Sequence, residues 1–348
     1  MARFRIGYID RPMHEAFLEE PAKAAEVELL RLSLSDGDDR IRDGLATCDA
    51  YYVQAARDEL PPAWHVTPAL LATLPRLLVA ASYGAGYDTI DVPACTAAGV
   101  AAVNQAGGNA EGVAEHAVGM MLSLLKRMPE AGIAIRQGRA QDRNPLMGRE
   151  LHGRTVGVIG LGHTGGRVAE IVRLAFACRV LACDPFLTAE ECARRGAEKV
   201  ELDALLAASD VVSVHCPLDD TTRGMLGAAA FARMRQGAIV VTTARGGIHD
   251  EAALTEALFG GHLGGAGLDV WAPEPPATGH RLLAHPAVIA TPHTAGVTHE
   301  SRARIARMGA QAFLAVARGE VPPRLLNPAV ADRLRQRLAA RRASGGAA

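Results

Sequence analysis

TVGVIGLGHTGGR, residues Thr155 to Arg167, decides the fold. A short apolar run leads straight into Gly160, Gly162 and Gly165 and then into a helical pattern. The three glycines have different tasks: the first permits a tight turn, the second lets backbone approach a pyrophosphate, and the third lets helix and strand pack closely. Leu161, His163 and Thr164 complete the loop, and phosphate rests on the helix N-terminus, where unpaired N–H groups favour an anion. On its own GxGxxG is weak, because glycine-rich turns occur by chance. Its context strengthens it: about 20 residues on, the motif requires an acid after the next strand, and RVLACD places Asp184 there. That carboxylate would accept from both adenosine ribose hydroxyls and repel a 2′-phosphate, favouring NAD over NADP. The competing reading, an ordinary turn residue before Pro185, accounts less well for the spacing.

Outward from this motif, short apolar runs alternate with helical patterns: Phe4 to Ile9, Val27 to Leu32, Ala50 to Val53, Leu77 to Ala81, Val156 to Ile159, Val180 to Ala182, Val211 to Val214, Ile239 to Val241, Leu268 to Val270 and Val288 to Ala290. Strands that alternate with helices imply parallel sheets of the α/β class. The runs form two clusters, separated by a long helical segment, AEGVAEHAVGMMLSLLKRM, and an arginine-rich surface connection, Arg136 to Glu150. Glu300 to Ala317 reads as another helix, and RLRQRLAARRASGGAA as a frayed, solvated tail.

At 348 residues the chain exceeds one ordinary core, so two domains are expected. A net charge of −1 gives no global reason to bind nucleic acid or an anionic membrane. Only Lys23, Lys126 and Lys199 are lysines among 37 basic residues, so any one arginine needs positional evidence before it is assigned a task. The six cysteines show no CxxC pair and no metal-type spacing; they read as small buried hydrophobes in a reducing compartment. MARFRIGYID has no secretory pattern, and the longest near-apolar run, Ala117 to Leu125, is too short to span a bilayer. A cytoplasmic protein without a metal is expected.

Three stretches bring chemistry to the carboxyl edge of the second cluster, where open α/β proteins bind ligands. In VVTTARGGIHDE a strand ends at Thr243 and Ala244 and presents Arg245, whose planar fork suits a carboxylate. GAGLDVWAPEPP places Asp269 at a strand end and Glu274 among prolines, and VIATPHTAG places His293 beyond another strand. A histidine alone is more often structural; this one lies downstream of a matched arginine and carboxylate.

These residues resemble the NAD-dependent D-isomer-specific 2-hydroxyacid dehydrogenases, of the phosphoglycerate and hydroxypyruvate dehydrogenase kind. The likeness rests on the cofactor loop, HCPL at His215 to Leu218, TTARGG, GLDVWAPEPP and TPHTAG in the family's order, with ASYGAGYDTID and NAEGVAEH upstream, over roughly residues 50 to 320. The resemblance implies that Arg245 anchors the substrate carboxylate, His293 is the acid/base and Glu274 pairs with it. It assigns Asp269 to the nicotinamide carboxamide, and His215, Cys216, Pro217, Thr222, Thr243, Ala244 and His293 to the NAD site. It gives Tyr83, Gly84 and Ala85 to the loop gripping the substrate. The implied fold is two Rossmann-like parallel-sheet domains. The NAD domain, 106–295, is inserted into a flavodoxin-like substrate domain, 1–105 plus 296–330, and a flexible tail covers 331–348. Hinge closure over a cleft is implied, as is a homodimer through the NAD-binding domain. The expected partner is a small 2-oxo or 2-hydroxy acid.

D-3-phosphoglycerate dehydrogenase is the nearest alternative activity. Nothing after residue 320 is long enough for the regulatory domain many such enzymes carry, yet short versions exist. Formate dehydrogenase is disfavoured by Glu274. A nicotinamide-sensing corepressor on the same fold is the alternative of another class. Two departures stand out: Tyr83 occupies a position where relatives often have a smaller residue, pointing to a narrower or aromatic pocket, and PLMGRELHG lacks a tryptophan common there. His116 fits an interdomain helix contact and receives no catalytic role. Arg57 reads as surface, with the far end of a substrate as its alternative contact.

Overall fold

In the computed structural model residues 3–345 are described, so the expectations for Met1, Ala2 and 346–348 fall outside it. The chain divides into one compact unit of residues 1–109 and 298–348 and another of 110–297.

The first unit is a five-stranded sheet of β1 (Phe4–Ile9), β2 (Val27–Leu32), β3 (Ala50–Val53), β4 (Val79–Ser82) and β5 (Ala101–Val103). The order is β2-β1-β3-β4-β5 and every pairing is parallel, the flavodoxin-like arrangement. All residues of β3 and β4 are buried, as expected of parallel strands covered on both faces. One face packs aromatics: Phe17 stacks on Tyr52 at 4.3 Å between centroids, and Phe313 meets both edge-on. Phe313 belongs to the helix His299–Ala317, whose Gly309 admits the Tyr52 ring; a β-carbon there would sit 2.9 Å from its hydroxyl. Asn327 then ties the returning chain to the edge strand, accepting from Ala102 N and donating to Val100 O.

The segment expected as a frayed tail is instead a helix, Ala331–Gly345. Its Leu334 and Leu338 are buried in the first unit's core. Its arginines also hold the body of that unit: Arg333 donates to Ala97 O, Arg337 to Gly99 O and Pro75 O, and Arg341 to Asp49. Buried Asp49 also takes Arg76 and the Arg5 amide.

The second unit is a seven-stranded sheet of β6 (Thr155–Ile159), β7 (Arg179–Cys183), β8 (Glu198–Lys199), β9 (Val211–Val214), β10 (Ile239–Thr242), β11 (Gly265–Leu268) and β12 (Val288–Ala290). The order β12-β11-β10-β9-β6-β7-β8 is again parallel throughout. It is doubly wound, and the winding reverses between β6 and β9, which opens a crevice at their carboxyl ends. β11 begins earlier than its apolar letters imply and ends at Leu268, leaving Asp269 just beyond it. Its glycines have a packing reason: a β-carbon on Gly267 would lie 2.8 Å from the sulfur of Met120, on the helix Ala110–Leu125. Among the described residues no helix is long and apolar enough to cross a membrane.

Candidate active site

Each glycine of the Gly160–Gly165 loop is required for a separate reason. Gly160 has φ +85°, and a β-carbon there would lie 2.8 Å from Cys216 N. A β-carbon on Gly165 would strike Gly160 O, at the start of the helix His163–Phe176. At Gly162 the same atom would meet open space, leaving room for a pyrophosphate against backbone. Asp184 closes the loop, accepting from Leu161 N at 2.9 Å and from Phe186 N at 3.0 Å. Beside it lies a cavity of about 630 Å3, bordered by Gly162, His163, Asp184, Phe186, Arg194 and Arg195, a size suited to a cofactor. Arg195 reaches back to Leu161 O. The donors, the space and the Asp184 carboxylate bordering it suit a dinucleotide.

Across the switch point, His215 follows β9 and is held between Ser213 Oγ at 2.8 Å and Thr243 Oγ1 at 3.4 Å. Burial pulls its pKa down to about 4, so the ring is neutral at pH 7. Burial also pushes the Cys216 thiol up to about 11, so it stays protonated and unreactive. Thr222 turns the chain after Pro217, donating to its carbonyl at 2.8 Å. Among the described residues no cluster of His, Cys, Asp or Glu could hold a metal ion.

The reactive edge lies at the carboxyl ends of β10, β11 and β12. His293 Nδ1 and Glu274 Oε2 are 2.8 Å apart. The other Glu274 oxygen accepts from Trp271 N at 2.9 Å. The hydrogen bond to Glu274 raises the His293 pKa, more than burial lowers it. Burial alone would raise Glu274, but the bonds from His293 and Trp271 bring it below its ordinary value. Arg245 follows β10, donates to Ala244 O at 2.7 Å, and its charge is felt by both His293 and Glu274.

His293 has φ +55°, a left-handed conformation that costs a non-glycine residue about 1 kcal/mol or more. Asp269 supports it. Its carbonyl accepts from His293 N at 2.7 Å. Its fully buried carboxylate takes Thr294 N at 2.7 Å, Ala295 N at 2.9 Å and the Thr291 hydroxyl at 2.6 Å. Successive amides wrapped on an anion form a nest. In this arrangement the Asp269 carboxylate faces the loop's own donors.

The loop after β4 departs from expectation at Tyr83. Tyr83 is buried, its ring 4.1 Å from that of Tyr52 and its hydroxyl bonded to Arg11 O, so it fills the first unit's core and does not narrow a pocket. The Tyr83 amide already donates to Val53 O, and that of Gly84 to Ser82 Oγ. The Ala85 amide has no protein acceptor among the described residues, while Asn104 holds the Ala85 carbonyl at 2.8 Å. Arg57 is exposed and donates to Asp88 O.

The sequence reading missed Thr291 and the Trp271 amide. Both follow strand ends, but backbone donors and a threonine before proline carry no distinctive letter pattern.

The model of the D-isomer specific 2-hydroxyacid dehydrogenase NAD-binding domain matches residues 118–295. The chain belongs to this family. It is 34% identical over 316 residues to D-3-phosphoglycerate dehydrogenase of Bacillus subtilis (strain 168), covering 91% of this chain and 57% of that one. It is 38% identical to glyoxylate reductase of Korarchaeum cryptofilum, over 74% of this chain and 78% of the relative. The structure of D-lactate dehydrogenase from Aquifex aeolicus, complexed with NAD and lactic acid, superposes with a TM-score of 0.76 at 28% identity, covering 90% of this chain and 96% of that one. This family member spans about half the length of the phosphoglycerate dehydrogenases it matches.

Proposed function

We propose that this dehydrogenase-family protein interconverts a small D-2-hydroxy acid and its 2-oxo acid with NAD. The Glu274–His293 pair at 2.8 Å, at the ends of the two strands next to that of Arg245, carries this reading. Gly160 to Gly165, Asp184 and the loops at His215 to Pro217, Thr222 and Thr243 to Ala244 would hold the dinucleotide. When bound, it supplies or accepts a hydride at the nicotinamide.

The chain's own residues manage charge and protons. Glu274 engages His293 Nδ1 and leaves Nε2 to transfer a proton to the substrate oxygen in reduction and to remove it in oxidation. The carboxylate also stabilises the imidazolium form, which suits an acid at neutral pH. Arg245 anchors the substrate carboxylate and orients the carbonyl.

The relatives named D-3-phosphoglycerate dehydrogenase keep a phosphorylated substrate as the second reading. A near-neutral chain supports small-molecule partners, and its free cysteines support a reducing, cytoplasmic setting. Exposed Met128, Ile133, Ile135 and Met147 in the second unit support a homodimer through that unit; analytical ultracentrifugation tests it.

The deciding experiment follows NADH oxidation, with NADPH as control, across glyoxylate, hydroxypyruvate, pyruvate, a bulkier 2-oxo acid and phosphohydroxypyruvate. Turnover of any of them supports the reading. Tight NADH binding with no turnover on the panel overturns it for these acids, in favour of a substrate outside the panel or a binding role.

A further inference from the structure

The position of His293 depends on the loop Thr291–Ala295, and a second histidine is built into the support of that loop. His116 lies in the second turn of the helix Ala110–Leu125, one turn before Met120 on the same face. Because Gly267 has no side chain, Met120 seats directly on β11, and this close approach brings His116 to the strand ends. Its Nε2 is 3.2 Å from Thr291 Oγ1 and 4.0 Å from Asp269 Oδ1.

The proton positions follow from donor counting. Thr291 Oγ1 has one proton and donates it to Asp269 Oδ1 at 2.6 Å, since a carboxylate only accepts. Toward His116 the hydroxyl oxygen therefore accepts, and His116 Nε2 must carry a proton. The chain of bonds runs in one direction: His116 N–H to Thr291, Thr291 O–H to Asp269, and Asp269 back to the amides of Thr294 and Ala295.

We propose that His116 is a positioning residue for His293. Its Nε2–H orients the Thr291 hydroxyl, which completes the shell of donors around Asp269 and so keeps the His293 ring opposite Glu274. This inference rests on the acid/base reading of His293. It has a readout of its own in the exchange of the Thr294 and Ala295 amides, which does not depend on turnover.

The test compares His116→Ala, His116→Gln, Thr291→Val, Thr291→Ser and the double variant His116→Ala/Thr291→Val with the unsubstituted protein. Steady-state kinetics on the best 2-oxo acid, NADH affinity by fluorescence and amide hydrogen exchange are the readouts. His116→Ala and Thr291→Val should each lower kcat about 10-fold, with NADH affinity nearly unchanged and faster exchange at Thr294 and Ala295. His116→Gln keeps an N–H donor and Thr291→Ser keeps the hydroxyl, so both should recover most of the loss. The double variant should be no worse than either single one, because both break the same chain. Additive losses, failure of glutamine to rescue, or unchanged exchange in His116→Ala would overturn the proposal. If the unsubstituted protein turns over none of the acids, the functional reading fails and the exchange data alone decide whether His116 orders the loop.

Discussion

Asp269 and His293 are joined through the chain's own amides: the His293 N–H donates to the Asp269 carbonyl at 2.7 Å, and the Asp269 carboxylate takes the next two N–H groups. A left-handed histidine is thus held by a buried anion. A displaced loop would change the distance on which proton transfer depends.

Replacing His293 by alanine should lower turnover about a thousandfold, the middle of the range for a general acid, with NADH affinity within about twofold, because hydride chemistry and proton transfer fail together while the glycine loop is untouched. Stopped-flow and fluorescence titration measure the two separately. Near-normal turnover would remove His293 as the acid.

The raised His293 and lowered Glu274 fix the sign of the pH response. Reduction needs protonated His293, so its kcat/KM should fall as pH rises through the raised pKa, while oxidation gains over the same interval. Glu274→Gln removes the cause of the shift and should move both limbs to lower pH. For stability, the His293 contribution is complete below the ordinary value of 6.5 and is lost as pH rises through the raised one. That of Glu274 is complete above 4.5 and is lost as pH falls through the lowered one. The pair stabilises most between these values; a melting optimum well outside them contradicts the assignment.

Arg245→Ala should raise KM and depress kcat together, since an anchor for the carboxylate also aims the carbonyl. Arg245→Lys keeps the charge without the fork and should recover only part of the loss. An unchanged kcat/KM in either variant speaks against the anchor.

Asp184→Ala should weaken NADH by about 10-fold, as loss of hydrogen bonds to a charged group implies, and narrow the preference over NADPH. Titration of both dinucleotides is the check. A preference that stays the same would mean the ribose lies elsewhere.

Deleting 331–348 should lower the melting temperature of the first unit's transition. Leu334 and Leu338 are 0% and 5% exposed, and burying a leucine is worth about 1.5–3 kcal/mol. Asp49→Ala, which leaves Arg76 and Arg341 without their shared acid, should destabilise in the same direction. Calorimetric traces unaffected by either change would show the helix to be dispensable.

The fold was legible where strands begin and end on apolar letters: β1, β2, β3, β9 and β12 match the boundaries observed. β11 was misplaced because glycines, needed under Met120, carry no hydrophobic signal. The final helix was hidden by arginines; a polar string reads as solvated, yet here the guanidinium groups bond to carbonyls and the leucines between them are buried. Arg245, Glu274 and His293 were legible because each follows a strand end in a distinctive string. The direction of Tyr83 was not, since the same letter serves a pocket or a core and only Tyr52 and Arg11 decide between them.

The interrupted first unit has a consequence for synthesis. Its opening strands leave the ribosome first, but Phe313, Leu334 and Leu338, which complete their core, are made last. The second unit is contiguous from 110 to 297 and can close while its predecessor waits, so maturation order is inverted relative to translation order. Limited proteolysis of nascent chains stalled near residue 320 should spare 110–297 and cut the earlier segment; equal protection of both would contradict this order.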